Sequence, residues 1–306
     1  MSAHNFTIGS AINHSQQPLT LDALRNYAPS AFATEAHESR STRYAYIPTV
    51  EVITAMMREG FQPFKATQSR SRIEGKTEFT KHMIRFRHPD YAINLKVGDS
   101  VPEIVLINSH DGTSAYKLSA GLYRLVCSNG LMVADSTVAS LSIQHKGNIV
   151  EDVLEGSFQI IGQSQKALGT VENWSGLTLT AGEQGAFAEA ARELRFADNE
   201  GTITTPITSA QLLAPRREAD ANGPWQGRNR WGSSLAVGPK TDLWHTMNVV
   251  QENVIKGGLS GIARDENGRR KRRVTTREVS GIDQDVKLNR ALWRLAERMA
   301  ERKAIA

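Results

Sequence analysis

The hydrophobic pattern of this chain changes period once, from two in its first half to about 3.6 in its second, and that switch limits the folds open to it. Apolar and polar residues alternate over residues 61–67 and 79–87, around a turn containing Gly75. The alternation continues over 101–108, 115–127 and 138–145, with Asp111-Gly112 and Asn129-Gly130 as turn dipeptides. Met83-Ile84 interrupts strict alternation and reads as a bulge. Helical spacing then takes over. One helix is expected from Ile149 to about Leu168, broken by Gly156 and Gly162, and Thr180 with Glu183 forms a capping box for another that ends at Phe196. Thr241 is expected to cap a helix from Asp242 to Lys256, closed by Gly257-Gly258, and a last helix is expected over about 283–303. Strands first and helices afterwards predict an α+β fold, with an antiparallel sheet of about five strands in the first half packed with helices from the second half.

Residues 1–39 are rich in Ser, Ala, Asn, His and Gln and read as a flexible polar arm holding one short helix from Thr20 to Tyr27. Residues 40–306 then read as a single α+β domain, mainly sheet over 40–146 and mainly helices over 147–306. Before the sheet, residues 48–60 form an apolar-faced helix with Gly60 placed to end it. Two stretches rich in Gly, Pro, Asn and basic residues, 214–239 and 257–280, read as basic loops.

Charge is informative through its distribution. The net value is +5, but residues 1–39, 40–96, 97–214 and 215–306 carry −2, +6, −7 and +8. Two basic regions around an acidic middle fit surfaces that meet a polyanion, and equally fit solvated surface with accidental clustering. No run of eighteen apolar residues occurs and the first ten residues are polar, so neither a membrane span nor export is expected. The single cysteine, Cys127, excludes internal disulfides and multi-thiolate zinc sites, and a reducing, cytoplasmic setting fits best.

No common catalytic signature is present: neither GxxxxGK[ST], GxGxxG, HExxH, GxSxG nor CxxC occurs. The densest polar cluster, 108–114, contains His110 and Asp111, which could bind a metal or relay a proton. A tight turn at Asp111-Gly112 accounts for the same residues without chemistry. Cys127 lies at the end of an apolar strand, where a small buried hydrophobe is the simpler reading than a nucleophile.

The basic residues form two sets. In the first, Lys81, Arg85 and Arg87 share odd positions on a strand, and Arg70, Arg72 and Lys76 sit at a hairpin tip, together offering a track for a phosphate backbone. Arg40, Arg43 and Lys65 belong to the same region. The second set begins with Arg216 and Arg217 and interleaves Trp225, Arg228, Arg230 and Trp231, where indoles could stack on bases while guanidinium groups hold phosphates. It ends in Arg269, Arg270, Lys271, Arg272 and Arg273, whose mutual repulsion is relieved only by solvent or an anion. On the last helix, Leu288, Leu292, Leu295 and Met299 form a core face, and Arg290, Arg294, Arg298 and Arg302 recur every four residues beside Glu297 and Glu301 as a salt-bridged solvent face. Trp244 and Trp293 read as core.

The segments 44–49 (YAYIPT), 106–114 (LINSHDGTS), 121–131 (GLYRLVCSNGL), 243–253 (LWHTMNVVQEN) and 288–293 (LNRALW) together resemble the phage- and plasmid-borne proteins catalogued as domain of unknown function 932. The resemblance covers roughly Ser39 to Met299. It implies a home on phages, plasmids and integrative elements, often near recombination and DNA-maintenance genes, and supplies no catalytic residues. The expected function is a nucleic-acid-binding accessory protein that grips single-stranded DNA through basic residues, in recombination, annealing or strand protection. It would need neither cofactor nor metal, would not meet a membrane, and is compatible with a homo-oligomer. A metal-dependent nuclease using Asp111 and His110, or a protein-binding inhibitory or structural factor acting through the acidic middle, are the alternatives.

Overall fold

Alternation in the first half produces strands whose two faces meet different neighbours. The computed structural model describes residues 11–12, 17–38, 46, 48–91, 100–124, 130–132, 141–143, 149–215 and 241–305. Strands β1 (Ala11–Ile12), β2 (Gln62–Gln68), β3 (His82–Arg87), β4 (Ser100–Asn108), β5 (Tyr116–Arg124) and β6 (Gly130–Met132) pair in that order, all antiparallel. The expected five-stranded sheet is β1 to β5. The three-residue β6 and β7 (Leu141–Ile143) extend it, both on β5.

On one face Ala66, Ile84, Phe86, Ile104, Leu106 and Leu118 are buried in the main core. Helices α1 (Leu21–Tyr27), α2 (Thr49–Arg58) and α3 (Ile149–Gly176) cover this side. The opposite face carries Met83, Val105 and Ile107, which form a second cluster with Ile282 and Val286. Met83 and Ile84 are therefore ordinary alternating neighbours, both buried because both faces are covered. The irregularity lies instead on β2, between Pro63 and Lys65.

Helix α1 begins as expected, with Thr20 accepting from the Ala23 amide at 3.2 Å. It is packed, however: Leu24, Ala28, Ala31 and Phe32 join the main core, so this stretch of the expected arm is part of the folded body. Helix α3 runs through Gly156 without a break. A Cβ at Gly156 would lie 2.9 Å from Leu141 and 3.1 Å from Leu118, so its missing side chain lets the helix seat closely on the sheet.

In the second half, the Thr180–Glu183 capping box opens α4 (Ala181–Phe196), and α5 (Ser209–Leu213) follows. Helix α6 (Leu243–Lys256) is capped by Asp242, not Thr241, because the Asp242 carboxylate accepts from the His245 amide at 2.9 Å. The region expected to be a basic loop over 257–280 is largely a hairpin, β8 (Ser260–Arg264) paired with β9 (Arg270–Thr275). Its strands were hidden because Ile262 and Val274 are almost the only apolar residues in it. Helix α7 (Ile282–Ile305) buries Leu288, Leu292 and Trp293 in the main core, with Trp293 tilted against Trp174 at 4.7 Å. Trp244 is also buried. Among the described residues no helix is long and apolar enough to cross a membrane.

Candidate functional site

The two basic sets meet different fates. Lys81, Arg85 and Arg87 do share one sheet face, but α7 covers it, so it is not the open track expected from alternation. Arg85 Nε donates to Glu103 Oε2 at 2.6 Å and Arg87 Nε to Glu103 Oε1 at 2.8 Å, with Arg85 and Glu103 each 1% exposed. Burial pushes the Glu103 carboxyl up, but Arg85 and Arg87 together outweigh it and hold the group below the usual carboxylate range. Nearby, desolvation raises the Asp285 carboxyl against the pull of Lys65 and Arg85, and desolvation lowers the Lys65 ammonium. Lys81 bonds both oxygens of Asp283 at 2.7 Å. Lys81 thus ties α7 to the sheet, while Arg85 and Arg87 join β3 to β4 beneath it. At the hairpin tip Arg70 and Arg72 are exposed, while Lys76 lies 3.5 Å from Asp111.

The β8–β9 hairpin is the opposite case. Arg269, Arg270, Lys271, Arg272 and Arg273 are all exposed, and none of their side chains has a carboxylate partner among the described residues, although the Arg269 amide donates to Asp265 Oδ1 at 2.8 Å. The register shifts between Ala263 and Arg264, where Arg272 stands opposite Ala263 and Arg270 opposite Arg264, so Lys271 is an extra residue that breaks strict alternation along the run. Arg264 stands opposite Arg270 in the register, a like-charge pairing that is unfavourable until an anion screens it. The base is firmly seated. Gln211 Nε2 donates to Ser260 O at 2.8 Å, Gly258 N to Thr276 O at 2.7 Å, and a Cβ at Gly261 would meet Pro206 O at 2.8 Å. A concavity of about 410 Å³ lies along the ribbon, lined by Ile262, which is 41% exposed, and by the cations Arg270 to Arg273. A two-stranded ribbon has the width of a major groove, and its cations could equally follow a single strand's phosphates.

His110 and Asp111 point to different surroundings. Asp111 Oδ1 accepts from Thr113 N at 3.0 Å and Thr113 Oγ1 at 2.6 Å, closing the turn, and these bonds help lower its carboxyl against the rise from desolvation. His110 turns inward to a polar cluster that sequence reasoning missed. There the Thr49 hydroxyl, at the start of α2, lies 3.0 Å from His82 Nε2, 3.2 Å from His110 Nε2, 3.0 Å from Asn108 Nδ2 and 3.3 Å from Tyr116 Oη. His82 Nδ1 lies 2.9 Å from Ser30 Oγ and 3.3 Å from Thr80 O. Since a carbonyl only accepts, the proton on Nδ1 leaves Nε2 to accept from Thr49. Desolvation, reinforced by His110, lowers the His82 imidazole to about 3 and keeps it neutral. A hydroxyl on an oriented imidazole could in principle be activated, but Thr49, His82, His110 and Tyr116 all have 0% exposure, so the cluster acts as an internal joint. It ties α2 to β3, β4 and β5. The available signal was Thr49 and Asn108 inside the segments 44–49 and 106–114.

The later segments have structural roles as well. Asn253 Nδ2 donates to Leu212 O and Ala214 O at 2.9 Å, and Gln251 Nε2 donates to Asn289 Oδ1 at 2.7 Å. Arg290 donates to Ser119 Oγ at 3.1 Å and Trp293 Nε1 to Glu297 Oε1 at 2.8 Å. Arg40, Arg43, Cys127, Arg216, Arg217, Trp225, Arg228, Arg230 and Trp231 lie outside the described residues. Among those described, no three His, Cys, Asp or Glu side chains come together as a metal site.

The family described as "Domain of unknown function (DUF932)" matches residues 36–293. The chain is similar to the UPF0380 protein YafZ of Escherichia coli (strain K12), at 43% identity over 281 residues that cover 92% of this chain and 91% of that protein. It is 42% identical to the UPF0380 protein YfjQ of the same organism, with the same coverage. No solved structure matches it.

Proposed function

The chain belongs to the DUF932 family, and from the surface chemistry of this member we propose a nucleic-acid-binding accessory protein that grips single-stranded DNA through the β8–β9 hairpin. The observation that carries this reading is the exposed run Arg269 to Arg273 on a seated ribbon without carboxylate partners among the described residues. Evenly solvated surface charge would favour interspersed acids, which neutralise repulsion locally. Here the repulsion is retained on a firmly anchored element, as suits a site completed by an external polyanion. The reading keeps the mobile-element setting that the family resemblance implies and the cytoplasmic setting that fits a single cysteine.

The test is fluorescence anisotropy of a labelled single-stranded oligonucleotide against the full chain over a range of salt. About five phosphate contacts predict a log–log slope near −3.5. Absence of binding at micromolar protein and low salt would sink the proposal. A parallel series with duplex DNA reads strand preference, and loss of intact oligonucleotide with magnesium would point to a nuclease.

A further inference from the structure

Helices α4 and α7 enclose an open groove of about 970 Å³ that the nucleic-acid reading does not use. Along α7, the spacing of Lys287, Arg290, Ala291, Arg294, Leu295 and Arg298 puts cations and aliphatic groups on one helical face. This corrects the expectation of a simple salt-bridged solvent face. Among the described residues only Arg298 of that row makes an ion pair, with Glu301 at 2.6 Å, and Arg290 donates to a serine. Lys287 and Arg294 are exposed and have no ion-pair partner among the described residues. The facing side adds Leu194 of α4, which is 47% exposed. The two carboxylates at the groove are Glu193 and Asp283, and Asp283 is already held by Lys81.

We propose that this groove docks an acidic amphipathic helix of a protein partner, with aliphatic side chains on Leu194, Val286 and Leu295 and carboxylates facing Lys287, Arg294 and Arg298. Three observations favour this occupant over a nucleic acid strand. Among the described residues the lining joins aliphatic side chains to charged ones and holds no aromatic ring on which a base could stack. Its apolar and cationic groups recur at helical spacing, as the ridges of a second helix require. From Asp283 to Arg298 the groove follows α7 for about 22 Å at 1.5 Å per residue, the length of a four-turn partner helix.

The experiment titrates the full chain into a fluorescein-labelled synthetic peptide of sixteen residues, with Leu at positions i, i+4, i+7 and i+11 and Glu on its flanks. Anisotropy is compared with that of a scrambled peptide of the same composition. The proposal expects saturable binding of the amphipathic peptide, at least tenfold weaker binding of the scramble, and at least tenfold loss in each of Arg294→Glu and Leu194→Asp. Both positions are exposed, and circular dichroism melts confirm that each variant folds. Failure of the peptide to bind, equal binding of the scramble, or binding that survives both variants would overturn the proposal. So would competition by single-stranded DNA that is lost in Arg294→Glu, which would make the groove a nucleic acid track. A dimer by sedimentation that dissociates in Leu194→Asp would assign the groove to a second copy and overturn it too. Loss of DNA binding on the hairpin leaves these peptide outcomes unchanged, so the two proposals fail separately.

Discussion

The layer between β3–β4 and α7 and the β8–β9 hairpin both place cations on antiparallel strands, yet only one of them is exposed. Under α7, Arg85 and Arg87 share Glu103 within a covered sheet face, and Lys81 reaches Asp283 across it. On the hairpin, Arg270 to Arg273 are exposed, without such partners among the described residues. The difference teaches that a basic strand face becomes internal when other elements bring carboxylates to it, here Glu103 from the adjacent β4 and further ones from a later helix. Asp283 and Asp285 arrive at the start of α7, about two hundred positions after Lys81. The buried cations therefore fix the fold, and the exposed ones are available to a ligand.

The largest effect should come from breaking the buried set. Glu103→Gln leaves Arg85 and Arg87 without their shared counter-charge, and should cost about 3–5 kcal/mol in urea unfolding. A loss under 1 kcal/mol would show that water reaches these guanidinium groups and that the two regions are alike. Next, Thr49→Val removes the hydroxyl that joins His82, His110, Asn108 and Tyr116. It should cost about 1–3 kcal/mol, with Thr49→Ser largely retaining stability, because the loss is of hydrogen bonds and not of volume.

His82 sharpens the comparison through pH. Its folded value, near 3, lies below its ordinary 6.5, so unfolding takes up a proton between those limits. Stability therefore falls as pH drops from about 6.5 toward 3, at up to about 1.4 kcal/mol per pH unit for one proton. Glu103, also lowered, adds its loss only at the acid end, once pH falls below the ordinary carboxylate range. Melts of the wild type and His82→Asn between pH 7 and pH 5 should show a shallower slope in the variant. Parallel slopes would mean that His82 is hydrated in the folded state.

Much of this frame was legible in the sequence because local rules governed it. The Thr180 capping box, the turn at Asp111-Gly112 and the core positions of Trp244 and Trp293 each follow from short-range pattern. What stayed hidden depends on distant partners or on strands lacking an apolar face. Arg85 looked like surface because Glu103 and α7 are separate in sequence, and Thr49 looked like a helix start because its four partners come from β3, β4, β5 and the turn after β4. The β8–β9 hairpin was read as loop since cations fill positions that usually carry β-branched residues. For the hairpin, charge was legible and geometry was not.

The smallest expected change in stability accompanies the most direct test of the central claim. Replacing Arg270, Lys271, Arg272 and Arg273 together with Gln should shift stability by less than about 0.5 kcal/mol per site, since each is exposed and without an ion-pair partner among the described residues. Measured on the same protein, affinity for single-stranded DNA should fall, and the log–log salt slope should shrink by about 0.7 for each cation that had met a phosphate. A variant that melts like the wild type and binds DNA with unchanged affinity and slope would contradict the account and remove the hairpin as its nucleic-acid interface.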